Sequence, residues 1–492
     1  MAAVVALGAT ELVAGSLRDT PSLLQSVAGV VIDSAPIALV RAAIDVLGTR
    51  DKQVLVAGVV LLSLLFGAGL GLAARQRRRR WVAAAGLAVF AAIGVWAAGR
   101  PPGVAPWRPA MAALSGVVAG VATLAVLVWR APPSDPAGTA ITRRSFLIAA
   151  GWLVVAGASG GAGGRLLQAR ARATAREGVV LPGLARPAPG PGSGLQVRGL
   201  SPFITPNKDF YRVDMATVPP LVDPRRWRLK VTGMVERPFE LTYGELLAMP
   251  MEEHDITLVC VSSEIGDRLS GNARWRGVRL DDLLRRAGPS PGATQVVGSS
   301  VDGFTVGFPT RLALDGRDAL VAVGMNGEPL PDAHGFPARL VVPGLYGYVS
   351  ACKWVREIRF TRFEGFDAYW VERGWAKEGP MKTMARIDTP ARNRKLRAGR
   401  VAVAGVAWAS HVGISKVEVQ IDARPWIPAR LGPGERDSWR QWIVDWDASP
   451  GTHTIRARAT DGSGRLQTSK MALSYPSGAT GWHTVQVTVA PA

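Results

Sequence analysis

Cys260 is the residue whose position in the sequence most directly suggests chemistry. It ends the largely apolar run 254–260, which predicts a strand with the cysteine at its carboxyl end, where loops can form a site. A thiolate there can bind a transition metal or act as a nucleophile, and a buried inert cysteine is the alternative. No second Cys or His stands at a spacing that would complete a metal site made of protein ligands alone. A metal at Cys260 would therefore need further ligands from a cofactor.

Several basic residues stand among glycines and prolines between positions 334 and 353. Arg339 precedes the apolar run 340–342, and Lys353 follows a glycine-rich turn at 344–347. Glycine and proline at this density indicate tight turns, and an arginine can bind an anionic group through two parallel hydrogen bonds. Each basic residue alone could be a surface charge, but together they suggest an anion pocket rimmed by loops.

Composition limits the classes of protein to which the chain can belong. The 492 residues are 48% apolar and carry 58 Lys and Arg against 38 Asp and Glu, a formal charge of +20. This length predicts two or three domains, and the apolar fraction excludes a disordered chain. The chain has two cysteines, Cys260 and Cys352, which excludes a disulfide scaffold or a four-ligand structural zinc site. No stripe of Lys and Arg interleaved with aromatic residues is evident, so nucleic acid is not an expected partner.

The first 165 residues are expected to form a membrane domain. They contain four apolar runs without charged residues, at 53–74, 81–99, 109–129 and 145–164. At ~1.5 Å per residue, each run is long enough to cross a ~30 Å hydrocarbon core. Residues 2–16 form a shorter apolar run that could be a fifth span, and arginines concentrate in the loops at 75–80 and 130–144. Because such loops stay in the cytoplasm, we expect a multi-pass plasma-membrane protein whose remainder lies outside the cytoplasm, with the lipid bilayer as a partner.

A pair of arginines stands directly before the fourth run. The segment Thr142-Arg143-Arg144-Ser145-Phe146-Leu147 resembles a twin-arginine export signal, although paired arginines before a span also serve as anchors on the cytoplasmic side. That export route carries proteins that are already folded. The signal would therefore suit an exported domain that has to fold around a cofactor in the cytoplasm.

Beyond the membrane domain, the residue patterns indicate a linker and two further domains. Residues 166–200 are rich in Arg, Ala, Gly and Pro without sustained periodicity, which predicts a linker. Residues 201–387 mix short alternating runs with short helical ones and predict an α+β domain. Residues 388–492 carry closely spaced β-like runs separated by turns, typical of a small β-sandwich.

The chain from about residue 201 to 489 resembles the sulfite-oxidase family of molybdopterin enzymes. The segments that occur in the order of that family are 260–263, 271–280, 301–305, 325–331, 334–344 and 353–354. The β-sandwich is similar to the family's C-terminal immunoglobulin-like dimerisation domain, and the N-terminal spans are similar to those of its bacterial membrane-anchored members. The resemblance implies a molybdenum-molybdopterin cofactor, an oxidoreductase and, by analogy, a homodimer.

The resemblance also implies which residues hold the cofactor. Cys260 would be the one protein ligand of the molybdenum, and the pterin would supply the other sulfur atoms. His334, Arg339 and Lys353 match positions that hold the pterin and its phosphate. A disulfide between Cys260 and Cys352 would remove the metal ligand, and we expect a free Cys352 instead.

Two further residues are expected to be catalytic together with Cys260. Arg212 matches a family arginine near the substrate and the cofactor, which it would also help to bind, and Tyr369 lies where the family has its active-site tyrosine. The chain departs from sulfite-oxidising members at 347–353, where an arginine that helps to bind sulfite is missing. A pocket with one cation fewer binds a small dianion less well, so sulfite is not the expected substrate.

We therefore expect a membrane-anchored, extracytoplasmic molybdenum enzyme that transfers an oxygen atom to or from a small molecule. All five histidines lie beyond residue 250, so the predicted spans cannot hold a haem between two imidazoles. Electrons must then be exchanged with an external carrier, a cytochrome or a quinone. Two alternatives remain: a sulfoxide-type reductase with the same centre, and a cofactor-free sensor or binding protein on the same fold.

Overall fold

The structure, a computed structural model, describes residues 1–17, 20–36, 39, 43, 46–47, 51–74, 76, 80–100, 104–129, 143–188, 194–216 and 218–491. The chain divides into two compact units. The first comprises Met1–Gly178, Asp214–Asp223 and Val301–Gly303, and the second comprises Val179–Val213, Pro224–Ser300 and Phe304–Ala492. The expected domain boundaries at 165, 200 and 387 stay predictions.

Long helices make up the described part of the first unit. They are α1 (Ala2–Ser16), α2 (Leu23–Ser34), α3 (Asp51–Ala74), α4 (Arg80–Gly99), α5 (Trp107–Trp129) and α6 (Arg143–Arg176). Three stretches are long and apolar enough to cross a membrane, namely Lys52–Ala74, Trp81–Gly99 and Trp107–Leu127. They coincide with the first three predicted spans, because an uninterrupted apolar sequence forms a helix that satisfies its own backbone in lipid.

The fourth predicted span, 145–164, lies within α6. The side chains of residues 143–147, which include the predicted twin-arginine pair, lie outside the described residues, so both the span and the signal stay predictions. The helix continues to Arg176, beyond residue 165, where a linker was expected to begin. Leu166, Leu167 and the alanines that follow favour the helix strongly enough to extend it.

The short apolar helix α1 packs against α6 through small residues. A Cβ atom at Gly8 would collide with the backbone of Gly157, and one at Gly15 would collide with Gly164. Glycine at these positions lets the two backbones approach closely, as is common between helices in membranes. Its length of 15 residues is short for a span, so a role as a fifth span stays a prediction.

Two sheets organise the amino-terminal part of the second unit. Their strands are β1 (Arg228–Gly233), β2 (Phe239–Thr242), β3 (Glu252–Val259), β4 (Ser270–Arg279), β5 (Gln295–Ser300), β6 (Thr305–Pro309), β7 (Leu320–Met325), β8 (Glu328–Pro329), β9 (Arg339–Val341) and β10 (Val355–Thr361). One sheet has the order β2-β1-β10-β5-β6; the other has the order β3-β4-β7-β8, with β9 also paired to β7. β7 is buried along its whole length, which explains its continuous apolar sequence.

Short helices connect these strands. They are α7 (Tyr243–Leu247), α8 (Leu280–Ala287), α9 (Thr310–Ala313) and α10 (Gly347–Ser350), with 3-10 turns at Asp332–His334 and Phe363–Gly365. Thr242 and Glu245 cap α7 through reciprocal hydrogen bonds, and Gly288 ends α8 in the left-handed conformation, as capping rules require. Sheets with short helices between the strands are the α+β architecture that the sequence predicts.

The carboxyl-terminal part of the second unit consists of two further sheets. Their strands are β11 (Met384–Thr389), β12 (Lys395–Arg397), β13 (Gly399–Trp408), β14 (Ile414–Ile421), β15 (Ile427–Pro428), β16 (Arg430–Leu431), β17 (Arg440–Ala448), β18 (Gly451–Asp461) and β19 (His483–Ala490). The orders are β11-β13-β17-β16 and β12-β19-β18-β14-β15. Val403, Trp442, Val417 and Ile455 contribute to the shared core. The sandwich is therefore present, and its immunoglobulin-like character stays a prediction.

Candidate functional site

Cys260 directly follows β3, so the structure places it at the carboxyl end of a strand, as the sequence predicts. Its N–H donates to the carbonyl oxygen of Leu269 at 2.9 Å, which closes the loop 260–269. The side chain is half-buried, and its Sγ lies 3.0 Å from Ser262 Oγ. Burial raises the pKa of the thiol, and the hydrogen bonds from Ser262 oppose that shift. Neither Cys260 nor Cys352 takes part in a disulfide, in agreement with the expectation for Cys352.

Arg339 opens β9 and is 5% exposed. Its Nη1 donates to the carbonyl oxygen of His334 at 3.0 Å, and its Cζ lies 4.8 Å from the ring centroid of Trp275. Within the described part of the chain its Nε has no hydrogen-bond partner and no carboxylate pairs with it. Burial lowers the pKa of Arg339 to about 10. A buried cation without a counter-ion is costly unless a ligand supplies the negative charge.

His334 and Arg212 add two more basic groups to this region. His334 is 3% exposed, and its Nε2 lies 2.9 Å from the carbonyl oxygen of Asn207, which assigns the ring proton to Nε2. Burial lowers the pKa of His334 to about 4, and the positive charges of Arg339 and Arg212 act in the same direction. His334 is therefore neutral near pH 7, with Nδ1 available as an acceptor.

Gly335 allows the turn that gathers these residues with Lys353. Its φ is 111°, and a Cβ atom there would lie 3.1 Å from Arg339 Cβ and 3.1 Å from Lys353 Cα. Only glycine combines that conformation with so close an approach. Lys353 Nζ donates to the carbonyl oxygen of Ala333 at 3.2 Å. The structure thus brings together His334, Arg339 and Lys353, and their role in holding a cofactor stays a prediction.

Two tyrosines that the sequence analysis did not single out lie within electrostatic reach of Cys260. Burial and proximity to Cys260 raise the pKa of Tyr211, on which Arg339 acts in the opposite direction. Tyr346 is 4% exposed, and burial together with Cys260 raises its pKa to about 12. Both hydroxyl groups therefore stay protonated near neutral pH and can donate hydrogen bonds. Tyr211 adjoins the predicted Arg212, which is the one local clue to its role.

Tyr369, the predicted active-site tyrosine, packs at the β6 side of the first sheet. Its N–H donates to Thr305 Oγ1 at 3.0 Å, and its ring centroid lies 5.7 Å from that of Phe304. The Arg373 guanidinium stacks on the ring, with Cζ 3.5 Å from the centroid. Tyr211 and Tyr346 lie within electrostatic reach of Cys260, and the catalytic role of Tyr369 stays a prediction.

The site contains a half-buried thiol, two protonated tyrosines and a buried cation that lacks an anion. This combination suits a protein that binds an anionic cofactor next to a cysteine. The sequence profile of the oxidoreductase molybdopterin binding domain matches residues 215–370. The uncharacterized oxidoreductase YuiH of Bacillus subtilis is 36% identical over 162 residues, 33% of this chain and 78% of that protein. Human mitochondrial sulfite oxidase is 26% identical over 342 residues, 59% of this chain and 62% of that enzyme.

Among solved structures, the sulfane dehydrogenase SoxCD of Paracoccus pantotrophus matches with a TM-score of 0.50 and 25% identity, over 57% of this chain and 80% of that one. The chain belongs to the sulfite-oxidase family of molybdopterin-dependent oxidoreductases. It is therefore an oxidoreductase, and its cofactor is molybdenum-molybdopterin. The residues present fit that cofactor, because the partnerless Nε of buried Arg339 calls for an anion such as the pterin phosphate.

Proposed function

We propose that the protein is a membrane-anchored, extracytoplasmic enzyme that transfers an oxygen atom to or from a small molecule. In the oxidative direction, substrate and water give the oxygenated product, two protons and two electrons; in the reductive direction the same balance is reversed. The observation that carries the proposal is the half-buried Cys260 thiol, which has the neighbour Tyr211 in common with Arg339, a buried cation without an anion.

The cofactor-binding residues follow from the geometry. Cys260 would supply the one protein sulfur to the metal, and Arg339, Lys353 and His334 would hold the pterin and its phosphate. When bound, the cofactor supplies a metal centre that exchanges an oxygen atom and two electrons. Because Gly335 fixes Arg339 and Lys353 side by side, their positive charges are in place before the anion arrives, which avoids reorganisation on binding.

The chain's own residues would then act on the substrate oxygen. The pKa values of Tyr211 and Tyr346 are raised, so both side chains offer an O–H donor near Cys260 throughout the physiological pH range. Arg212 would add a positive charge, as the resemblance to the family implies. We also keep Tyr369 as a proposed catalytic residue, whose ring is held by Arg373.

Membrane anchoring is supported by the three apolar helices of spanning length and by the arginines in the loops at 75–80 and 130–144, which favour a cytoplasmic side for those loops. We retain the predicted organisation of a membrane domain at 1–165, a linker at 166–200, a cofactor domain at 201–387 and an immunoglobulin-like sandwich at 388–492. Export through the twin-arginine route and a homodimer belong to the same proposal.

The electron partner is proposed to be a separate carrier, a cytochrome or a quinone. Within the described residues no group of three or more His, Cys, Asp or Glu side chains could hold a second metal. The names of the relatives, sulfite oxidase and sulfane dehydrogenase, point to a small sulfur compound as the substrate. The missing cation at 347–353 favours a compound with less negative charge than sulfite.

The ligand role of Cys260 is tested by replacing it with serine in the full-length protein, purified in detergent from a host that makes the cofactor. Cys260→Ser is expected to fold and to bind the pterin but to lose turnover by several orders of magnitude, because the metal loses its protein sulfur. Electron paramagnetic resonance of the reduced protein should show an altered molybdenum signal. Cys352→Ser is the matched control and should retain both signal and turnover.

Metal analysis separates this proposal from the cofactor-free alternative. About one molybdenum per chain is expected in the wild-type protein, and a value far below one would favour a binding or sensor protein. Steady-state assays with sulfite and with methionine sulfoxide then separate an oxidase from a sulfoxide-type reductase. Efficient oxidation of sulfite would show that the missing arginine at 347–353 does not limit anion binding.

A further inference from the structure

We propose that Tyr348, Trp375 and Tyr475 form an aromatic row at the entrance to Cys260, and that this row selects substrates with an uncharged, apolar group next to the reacting atom. The inference rests on the proposed function and adds a substrate class to it. Tyr475 comes from the sandwich part of the second unit, so the site would be completed by a segment outside the cofactor domain.

The segment that carries Tyr475 is held against the loop that follows Cys260. Ser474 N donates to Glu264 Oε1 at 2.9 Å, and Glu264 lies in the loop 260–269 that begins at the cysteine. On its other side, Ala376 N donates to the carbonyl oxygen of Pro476 at 3.0 Å. These contacts fix residues 474–478, which we call the entrance segment, beside the cysteine loop.

A second connection joins the entrance segment to Tyr346, whose neighbour Gly347 lies beside the end of β3, because a Cβ atom at Gly347 would be 3.9 Å from the carbonyl oxygen of Val259. Lys382 Nζ donates to the carbonyl oxygen of Gly478 at 3.1 Å and to Ser477 Oγ at 3.3 Å. The backbone N–H of the same lysine points to Tyr346 Oη at 3.5 Å. Because these contacts and the one through Glu264 reach the surroundings of Cys260 from two different loops, we place the entrance segment at the approach to that residue.

The exposure of the rings falls from Tyr475 inward to Tyr348 on α10. Tyr475 is 42% exposed, and its ring centroid lies 5.3 Å from that of Trp375, edge to face at 81°. Trp375 lies 5.9 Å from Tyr348, which is 7% exposed and stands two residues after the buried Tyr346. Such aromatic pairs hold their geometry, so the row is a preformed wall.

The chemistry of the row is apolar. Tyr348 Oη is committed to the carbonyl oxygen of Ala376 at 2.5 Å, so this residue offers its ring rather than its hydroxyl. The Lys382 ammonium is committed to Gly478 and Ser477, and residues 348–352 contain no cation. An alkyl or aryl group would gain from leaving water.

The test compares two neutral sulfoxides in the reductive direction with the full-length holoenzyme in detergent. Each turnover would consume one sulfoxide, two protons and two electrons from reduced methyl viologen, and would give one sulfide and one water. The quantity measured is the ratio of kcat/KM for methyl p-tolyl sulfoxide to kcat/KM for dimethyl sulfoxide. Tyr475→Ala and Trp375→Leu should each lower this ratio about 10-fold, the scale on which apolar pockets discriminate.

Two further variants control the comparison. Tyr475→Phe keeps the ring and should keep the ratio, because the face of the ring is proposed to act and not the hydroxyl. Leu473→Ala changes an apolar residue that is 77% exposed and directly precedes the entrance segment, and it should leave kcat/KM for both sulfoxides unchanged. A ratio that is unchanged in Tyr475→Ala and Trp375→Leu would overturn the proposal. A loss confined to the rate of electron exchange with the carrier would also overturn it, because the row would then be a surface that binds the electron carrier.

A binding measurement distinguishes failure of this inference from failure of the proposed function. Saturation-transfer NMR with methyl p-tolyl sulfoxide is carried out on full-length Cys260→Ser and on Cys260→Ser/Tyr475→Ala in the same detergent. We expect the contact to the aryl protons to be lost in the double variant. If neither sulfoxide turns over but this loss is seen, the proposed reaction fails and the aromatic row stands. Equal signals in the two variants would overturn the row, whatever the enzyme catalyses.

Discussion

Arg339 differs from other deeply buried arginines of the second unit in what surrounds it. Arg317 is paired with Asp315 at 2.7 Å, and Arg386 is paired with Asp388 at 2.7 Å. Arg339, equally buried, has a carbonyl oxygen, the Trp275 ring and, among the described residues, no carboxylate. A fold retains an uncompensated cation when a ligand compensates it, so the free energy that this arginine costs the apoprotein is recovered on binding of an anionic cofactor.

Asp437 is the corresponding buried anion. Among the described residues neither of its oxygens has a hydrogen bond of good geometry, although the backbone N–H of His411 faces the carboxylate, and Oδ1 lies 3.8 Å from His411 Nδ1. Burial and the charge of Asp318 raise the pKa of Asp437 from 3.8 to about 6, against the opposing charges of Arg436 and Arg317. The folded protein therefore holds more protons here than the unfolded chain between about pH 4 and 6, and this group's contribution to stability falls as the pH rises through that window.

Asp437→Asn is thus expected to stabilise the protein near neutral pH and to do little in acid. The gain should be on the order of 2 kcal/mol near pH 7.5, because the charge that is costly to bury is removed. It should vanish near pH 4. Thermal unfolding followed by intrinsic fluorescence at both pH values measures it. Asp445→Asn, at an exposed carboxyl whose pKa Arg400 lowers, is the control and should give no gain at pH 7.5. An equal shift of Tm for Asp437→Asn at both pH values would contradict the assignment.

At the scale of the element, the turn between the 3-10 helix Asp332–His334 and β9 determines whether the cofactor residues meet. Gly335→Ala should reduce molybdenum content severalfold, because the added Cβ lies 3.1 Å from both Arg339 Cβ and Lys353 Cα at a φ of 111°. Gly316→Ala is the matched control: its φ is +86°, but a Cβ there meets nothing within 4 Å. The Gly316→Ala variant therefore has only the conformational cost of a Cβ atom at a positive φ, and the protein should keep its molybdenum. Equal metal loss in both variants would mean that backbone strain, and not the contact, decides.

Local sequence patterns predict those strands and turns well. They predict poorly which residues from distant parts of the chain lie close together in the fold. Alternation of apolar and polar residues predicts β3 with Cys260 at its end, and glycine and proline predict the turn with Arg339 and Lys353. These signals act over a few residues. Tyr211 and Tyr346 lie on loops far apart in sequence, and no periodicity marks either of them. Tyr475 reaches the site only because the sandwich packs beside the cysteine loop, a long-range arrangement that no local pattern encodes. The family resemblance supplied the predicted cofactor residues but not these rings.

At the scale of the whole molecule, the second unit joins its sandwich and its cofactor region through a buried ionic junction. Arg386 on β11 is 2% exposed, and its Nε donates to Asp388 Oδ1 at 2.7 Å. Its Nη1 donates to Ser270 Oγ at 2.7 Å and to the carbonyl oxygen of Asp267 at 3.1 Å, and Asp267 lies in the loop that begins at Cys260. Ser201 N donates to Asp388 Oδ2 at 2.9 Å. The junction therefore links the sandwich to the strand and the loop that carry the site.

Removing only one charge of this ion pair should destabilise the protein more than removing both. Arg386→Leu leaves the Asp388 carboxylate buried without its cation, which is expected to cost about 3–5 kcal/mol and to lower the Tm of the second unit. Arg386→Leu/Asp388→Leu removes both charges and should recover most of the loss, since apolar groups of similar size replace a buried pair at little cost. Thermal unfolding of the detergent-solubilised holoprotein measures both. If the double variant is as unstable as the single one, the hydrogen bonds to Ser270 and Asp267, rather than the ion pair, hold the sandwich against the cysteine loop. The molybdenum signal in electron paramagnetic resonance should then change in both variants alike.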